Sequence, residues 1–440
     1  MQFDEAIAYL LSLGHETLTV KLGLRNTELL LEALGNPHKE FFSVQIAGTN
    51  GKGSTAAFAD SIVRAAGLRS GLYTSPHLVS MTERIRIDGS EITHERFAQL
   101  ATEVRVACET LMAQQTLSTY PTFFEQVTAI ALLAFKQAGV DLAILETGLG
   151  GRLDATTCAA ARVVAITPIG LDHQEYLGET IEQIAAEKAA TIRPGVRALV
   201  SPQTPIVQEV IQRAAAVSKV DPTYDENRID LEDSTGDGRF CVSFHTRTSG
   251  YRRVWLSLRG RHQITNASLA LLIAEVLRAE GFVIQHNAVI KGLEQAQHPG
   301  RLEFISAKPA VLYDGAHNPA GARALREYLD EFALRPLTMV FGAMGDKKLD
   351  QMAEILFPLA DHLILTPVDS PRSASVEILR QLASSTLEAD QITCTNSVKE
   401  AATTAIAKTD PQGLICFNGS LYLIGEAKRY CSFNLACAGP

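Results

Sequence analysis

The chain contains no C-x-x-C pair, and its seven cysteines, at 108, 158, 241, 394, 416, 431 and 437, are widely scattered. That spacing excludes a zinc knuckle or a thioredoxin-type dithiol and fits reduced thiols serving as small core residues in a cytosolic protein. No apolar stretch reaches the length of a membrane-spanning helix, so no membrane partner is expected. Basic residues are in deficit, 40 Lys and Arg against 49 Asp and Glu, for a formal net charge of −9 at pH 7. This balance argues against nucleic acid as the main partner, because a phosphate backbone calls for a basic face, and it leaves room for a local pocket for small anions. Met1-Gln2-Phe3-Asp4-Glu5 lacks the basic start and apolar run of a secretory signal. Ala6, Ile7, Leu10 and Leu11 instead follow at the spacing of a short amphipathic helix belonging to the fold. A cytoplasmic location is the expectation. Internal repeats and low-complexity tracts are also lacking.

What is present is a long, ordinary globular composition: 440 residues, 46 % hydrophobic and 20 % charged, too many for one core and suited to two domains. Residues 41–47 read as a buried strand, 48–54 as a glycine-rich turn, and 55–66 as a helix closed by Gly67. Val140 to Leu145 is a second strand, running into Glu146 and a glycine cluster, and Arg162 to Thr167 is a third, running into Asp172-His173; residues 125–138, ahead of the second strand, read as a helix. This alternation predicts a mainly parallel sheet with helices on both faces. Residues 219–250 are polar and turn-rich and read as an antiparallel appendage of the first domain, followed by a helix over 265–279. After His298-Pro299-Gly300 the rhythm restarts, with strands at 310–313, 337–341, 362–366, 391–395 and 414–417, each followed by a helical pattern. The expected fold is therefore α/β with two domains. An ATP-binding P-loop domain carrying substrate loops spans 1–296, and a smaller Rossmann-like domain spans 297–440.

Gly48-Thr49-Asn50-Gly51-Lys52-Gly53-Ser54 lies between a strand and a helix, the context a phosphate loop demands. Glycines let backbone N–H groups approach phosphate oxygens, Lys52 can reach the outer phosphates, and Ser54 offers a hydroxyl to Mg²⁺. The pattern is a variant: Ile46 stands where the first glycine would be, and Gly53 separates Lys52 from Ser54. A plain strand-to-helix turn is the alternative. Glu146 suits a Mg²⁺ that bridges a carboxylate and nucleotide phosphates. His173 is either a ligand or a hydrogen-bonded loop histidine. Within a helix over 180–192, Ile181, Ile184, Ala185, Lys188 and Ile192 share one face. Lys188 is then either a lysine snorkelling at the rim or a buried amine, neutral enough to take up CO₂ as a carbamate.

These motifs, taken with others, resemble the folylpolyglutamate synthases and their bifunctional bacterial relatives, the dihydrofolate/folylpolyglutamate synthases. The resemblance rests on the 48–54 loop, Tyr73-Thr-Ser-Pro-His-Leu78, Glu83-Arg-Ile-Arg-Ile87, Thr122-Phe-Phe-Glu125, Glu146 to Ala155, Gly170-Leu-Asp-His173, Glu187-Lys-Ala189, Pro299 to Glu303 and Asp314-Gly-Ala-His-Asn-Pro319. It implies a Mur-ligase-like architecture and an ATP-dependent ligation in which a substrate carboxylate becomes an acyl phosphate and the amine of L-glutamate displaces phosphate. Dihydropteroate, tetrahydrofolate and its polyglutamates are the implied acceptors. By position, the resemblance gives Lys52 and the loop amides the β- and γ-phosphates. It gives Ser54, Ser75 and Glu146 a first Mg²⁺, and His173 with a carbamylated Lys188 a second metal and the acyl-phosphate site. Asn266 and Arg301 fall to the nucleotide, Arg301 from beyond the hinge, and Asp314 to the ribose or nucleotide. His317 and Ser420 fall to the incoming glutamate or its phosphate neighbours, and His317 is grouped with the catalytic residues. Phe124 and Asp154 fall to the pterin side, beside their plainer readings as a core aromatic and a loop-capping carboxylate.

The sequence departs from the family pattern twice: Thr157 stands where Asn usually follows Asp-Ala-Thr, and Lys348 ends an expected Asp-Lys-Asp. Both lie near presumed ligand loops and bear on fine substrate contacts, not on reaction class. Lys21-Leu-Gly-Leu24 resembles the bacterial type with both activities, and a monomer is expected. A Mur-type peptidoglycan ligase is the nearest rival, but only a helix or two precedes the phosphate loop, too little for a UDP-sugar domain. A nucleotide-binding switch is the other; the chain has no Asn-Lys-x-Asp base-reading motif.

Overall fold

The computed structural model describes residues 1–14 and 23–435, with side chains up to Tyr430. Lys21 and Leu22 of the Lys21–Leu24 motif, and the side chains of Cys431 and Cys437, therefore lie outside the described residues. The chain packs into two compact units: one of residues 1–230, 243–254 and 265–296, the other of residues 231–242, 255–264 and 297–440.

The first unit is built on an eight-stranded sheet. Its strands are β1 (Phe42–Ala47), β2 (Ser70–Tyr73), β3 (Ile85–Ile87), β4 (Ser90–Glu91), β5 (Leu142–Glu146), β6 (Val163–Ile166), β7 (Arg197–Val200) and β8 (Thr223–Tyr224). They run in the order β4-β3-β2-β5-β1-β6-β7-β8. From β2 to β8 all neighbours are parallel, and β3 and β4 join antiparallel at one edge. Parallel strands must be apolar on both faces because helices cover both. Accordingly Val44, Ile46, Leu142, Ile144, Val163 and Val164 are all fully buried, each contributing roughly 1.5–3 kcal/mol relative to exposure.

The helices begin and end where their sequences dictate. Thr122 and Glu125 form a capping box at the start of helix Phe123–Ala138, and Gly139, at φ +64°, closes it. Thr180 and Gln183 do the same for helix Ile181–Ala189. In the amino-terminal helix Phe3–Ser12, Ala6 and Leu10 are fully buried, but Leu11, expected on the same face, is 54 % exposed. The buried stripe is thus the narrow i, i+4 pair rather than the broader face its periodicity implied.

Next along the chain, β9 (Arg228–Ser234), β10 (Phe240–His245) and β11 (Gly250–Trp255) form a three-stranded sheet in the order β11-β10-β9. Short turns join consecutive neighbours, the condition for antiparallel pairing. The second unit holds a six-stranded sheet of β12 (Glu303–Ile305), β13 (Ala310–Asp314), β14 (Leu337–Phe341), β15 (His362–Leu365), β16 (Ile392–Cys394) and β17 (Leu414–Asn418). The order is β12-β13-β17-β14-β15-β16, parallel except for β12. Helix Pro319–Phe332 starts where Asn318 caps it and Pro319 fills a first-turn position that lacks an N–H partner anyway. Among the described residues no helix is long and apolar enough to cross a membrane.

Candidate nucleotide and metal site

β1 lies between β5 and β6 in the middle of the first sheet, so its carboxyl end is a topological switch point, where ligands gather in open α/β sheets. Ile46 pairs with Glu146 on one side and Ala47 with Ile166 on the other. Sheet order alone thus sets the phosphate loop beside Glu146 and the 167–173 segment. The helix after β1 begins at Lys52, three residues earlier than its apolar pattern indicated, with Gly51 as its cap. Lys52, Gly53 and Ser54 occupy its first turn, whose N–H groups and dipole favour an anion.

Two glycines of this loop are geometrically required. Gly48 has φ +143°, and a Cβ there would lie 1.9 Å from Thr167 Oγ1; Gly51 has φ +87°, and a Cβ there would lie 2.2 Å from Asn266 Oδ1. The second contact brings Asn266, 3 % exposed, directly against the loop. Thr49 and Asn50 serve differently. Their amides donate to Pro168 O at 3.1 and 3.3 Å, and Thr49 Oγ1 donates to Gly170 O at 3.0 Å. They tether the loop to the segment after β6. Lys52 Nζ rests 3.2 Å from Thr49 O.

Glu146 is 6 % exposed, and the amide of Ser75 donates to its Oε2 at 3.2 Å. Among the described residues no three His, Cys, Asp or Glu groups converge as a metal cage. The oxygen donors here, Glu146 with the hydroxyls of Ser54 and Ser75, fit Mg²⁺, which takes one or two carboxylates and completes its shell with phosphate and water. His173, at φ +50°, precedes the short turn Gln174–Leu177, its Nε2 3.9 Å from Asp172 Oδ1.

Lys188 is buried, 5 % exposed, and its Nζ donates to Gly48 O at 2.8 Å across 140 residues of sequence. Burial, reinforced by the charge of Lys52 and opposed by Asp172 and Asp154, pushes its amine down to about 7. Of its two readings from sequence, the geometry is that of the buried amine.

Phe124 is half-buried at the start of its helix and abuts Gly148, where a Cβ would come within 2.5 Å of the ring. Asp154 is 4 % exposed, and both its oxygens are engaged. Oδ2 accepts from the amides of Gly148 and Leu149 at 2.9 and 3.1 Å, and Oδ1 from the amide and hydroxyl of Thr156 at 3.0 and 2.5 Å. Asp154 therefore organises the loop after β5, which is its capping reading.

In the second unit, Asp314 and Asn418 are paired at the carboxyl ends of β13 and β17. Asp314 accepts from the amides of Leu302 and Ala316 at 2.9 and 3.0 Å; burial raises its carboxyl, and Arg301 works against that rise. Arg301 Nη1 donates to Gly315 O at 3.0 Å, and His317 Nδ1 lies 2.8 Å from the same carbonyl. Because a carbonyl only accepts, Nδ1 carries the proton. Ser420 is 3 % exposed and accepts from Tyr422 N at 3.1 Å at the start of the last helix. These four residues gather at one end of the second sheet.

The chain is similar in sequence and fold to known proteins. The Mur ligase middle domain model matches residues 46–274, and the Mur ligase glutamate ligase domain model matches residues 300–421. A Bacillus subtilis dihydrofolate synthase/folylpolyglutamate synthase is 35 % identical, covering 94 % of this chain and 96 % of its own. The chain belongs to the folylpolyglutamate synthase family. A solved structure of Escherichia coli FolC in complex with DHPP and ADP aligns with a TM-score of 0.86 at 30 % identity, over 99 % of this chain and 98 % of that one. A probable bifunctional folylpolyglutamate synthase/dihydropteroate synthase of Halobacterium salinarum is 37 % identical over 97 % of this chain, which spans only about half (51 %) of that protein's length.

Against the folylpolyglutamate synthase pattern, the two departures have distinct surroundings. Thr157 is 5 % exposed; its hydroxyl donates to Gly151 O and accepts from Gln45 Nε2, both at 2.8 Å. Gln45, a buried polar residue within β1, thereby fastens the 148–157 loop to the central strand. A large polar amide in a buried strand was the sequence signal for it. Lys348 sits at the N-cap of helix Leu349–Leu356 and makes no capping bond.

Proposed function

We propose that this chain is an ATP-dependent ligase that joins L-glutamate to a pteroate or folate carboxylate, acting as a cytoplasmic monomer. The observation that carries the reading is the junction of three strand ends at β1. It sets a helix N-terminus with Lys52, the buried carboxylate Glu146 and the buried amine Lys188 about one loop. The domain models and the names of the relatives point the same way.

The chemistry needs this equipment. A carboxylate oxygen is a poor leaving group until phosphorylated, and phosphorylating it brings two anions together. Lys52 and the first-turn amides offset that repulsion and stabilise charge developing on the transferred phosphoryl group. Mg²⁺ held by Glu146, Ser54 and Ser75 supplies further neutralisation of the phosphate oxygens when bound. The amine of glutamate then attacks the acyl phosphate, forming the amide and releasing phosphate. His173 serves a second metal and the acyl-phosphate side. Asn266, Arg301 and Asp314 serve the nucleotide, His317 and Ser420 the incoming glutamate, and Phe124 with the Asp154 loop the pterin.

Lys188 fits a carbamate. With the amine near 7, a substantial neutral fraction exists at neutral pH. The neutral amine attacks CO₂, forming an N–C bond and releasing one proton. The carbamate nitrogen keeps one hydrogen, so the bond to Gly48 O survives, and the two oxygens gained, sharing one negative charge, would be available to a second metal. ¹³CO₂ should give a carbamate resonance in the wild type that Lys188→Ala lacks, and a small added carboxylate should restore part of that variant's activity. A wild-type spectrum without the resonance removes the carbamate.

The assay for the whole reading combines ATP, Mg²⁺ and labelled glutamate, with dihydropteroate or tetrahydrofolate in separate tubes. Label is expected in the pterin product of at least one tube. Label in neither, with ADP still bound, overturns the folate assignment.

A further inference from the structure

Glu83 and Arg84 are adjacent residues that no step above uses, and between them they fix the loop after β2. Glu83 accepts three successive amides: Leu78 N on Oε2 and Val79 N and Ser80 N on Oε1, all at 2.7 Å. Ser80 and Glu83 close this arrangement as a capping box on the turn Met81–Arg84. Arg84 is 2 % exposed, with its guanidinium 5.4 Å from the centre of the Phe123 ring. Its Nε donates to His77 Nδ1 at 2.9 Å, and its carbonyl accepts from Thr74 N at 3.0 Å. A buried arginine whose plane is set by an aromatic ring is a rigid anchor. Within the loop so held, Ser75 donates its amide to Glu146 Oε2 at 3.2 Å. Pro76 has no amide to place.

From this we infer that Glu83 and Arg84 are positioning residues for the metal carboxylate. They clamp the 74–80 loop at both ends, and the loop presents the Ser75 amide to Glu146, fixing how that carboxylate faces a divalent cation. Outer groups of this kind orient metal ligands and are worth about 10–100-fold in metal affinity. The inference rests on the nucleotide and metal reading proposed above.

The test uses the full chain with ADP and Mn²⁺ as a paramagnetic stand-in for Mg²⁺. Binding of Mn²⁺ to the protein–ADP complex is followed by electron paramagnetic resonance, and ADP binding without metal by calorimetry. Arg84→Lys keeps a cation but loses the flat guanidinium and its Nε–H. Glu83→Gln keeps the shape but only one accepting oxygen. Each is expected to weaken Mn²⁺ roughly tenfold and to leave metal-free ADP affinity within about twofold. Arg278→Lys, whose partners are Ile284 O and the Tyr251 hydroxyl, loosens the same unit elsewhere and is the control for general destabilisation. It should leave Mn²⁺ affinity unchanged, and circular dichroism melting would confirm that all three variants fold. Unchanged Mn²⁺ affinity in a folded Arg84→Lys and Glu83→Gln overturns the clamp, as does an equal loss in Arg278→Lys or an equal loss of metal-free ADP binding. A wild type that binds no ADP overturns the proposed function itself.

Discussion

Lys52 occupies the first turn of a helix, where the macrodipole is positive and a cation is unfavourable by about 0.3–1 kcal/mol. A residue kept at an electrostatic disadvantage to folding is one whose charge serves a ligand. Lys52→Ala should therefore leave stability equal or slightly raised, measured by chemical denaturation, while turnover falls by at least about a hundredfold. Near-normal turnover would remove Lys52 from the phosphates. Lys348 poses the opposite case: it holds an N-cap position without capping. Lys348→Asp supplies an acceptor for the first-turn amides and should stabilise the second unit by about 1 kcal/mol. If Lys348 instead holds a ligand, the same variant would gain stability and lose activity, a combination that urea melts and the labelled-glutamate assay would separate.

At the scale of elements, the join between β1 and its helix is the most constrained turn in the first unit. Gly48→Ala would need a side chain at φ +143°, against Thr167 Oγ1 and the Thr167 carbonyl at 1.9 and 3.0 Å. Strained backbone of that kind costs about 1–3 kcal/mol, and relieving the clash moves the loop and the carbonyl that Lys188 holds. The variant should melt lower and bind ADP weakly; unaltered values for both would mean the loop is not held as described. This turn was legible in the sequence because glycines, a lysine and flanking apolar runs are local signals. So were β1, β5, β6 and the parallel strands of the second unit, though not its antiparallel edge strand β12, which is only partly buried. Edge strands were not: β4 and β8 are two residues each, and neither carries an apolar pattern. The helix His94–Ala113 buries Phe97, Leu100, Ala101, Val104, Cys108 and Leu111 at helical spacing, so its pattern was available although it carries no chemistry. The contacts that define the site were hidden for a different reason. Ser75 to Glu146 spans 71 residues and Lys188 to Gly48 spans 140, and strand order, which periodicity does not encode, decides both. Asp154 shows the limit from the other side: its place in a family motif was plain, but only the folded loop reveals that its oxygens hold four donors.

At the scale of the whole molecule, the two compact units need not unfold together, so ligand effects belong to the transition of the unit that binds. A ligand that binds only the native state adds RT ln(1 + [L]/Kd), about 2.7 kcal/mol at a hundred times Kd. For a unit of this size that raises the midpoint by roughly 5 °C. ADP with Mg²⁺ should move the first unit's transition by this amount in calorimetry, and EDTA should withdraw the metal-dependent share while leaving the share due to the phosphate loop. Glu146→Gln isolates the carboxylate. It preserves size and one accepting oxygen for the Ser75 amide but removes the charge, so its shift with Mg²⁺ and ADP should match the wild type's shift with ADP and EDTA. Equal shifts in all conditions would mean that Glu146 is no metal ligand and that its burial between β2 and β1 serves the sheet alone. A Mg²⁺-dependent share that disappears in Glu146→Gln and persists in Lys52→Ala would divide the site into two separable parts, a cation held from β5 and a phosphate held from β1, which the sheet order sets side by side.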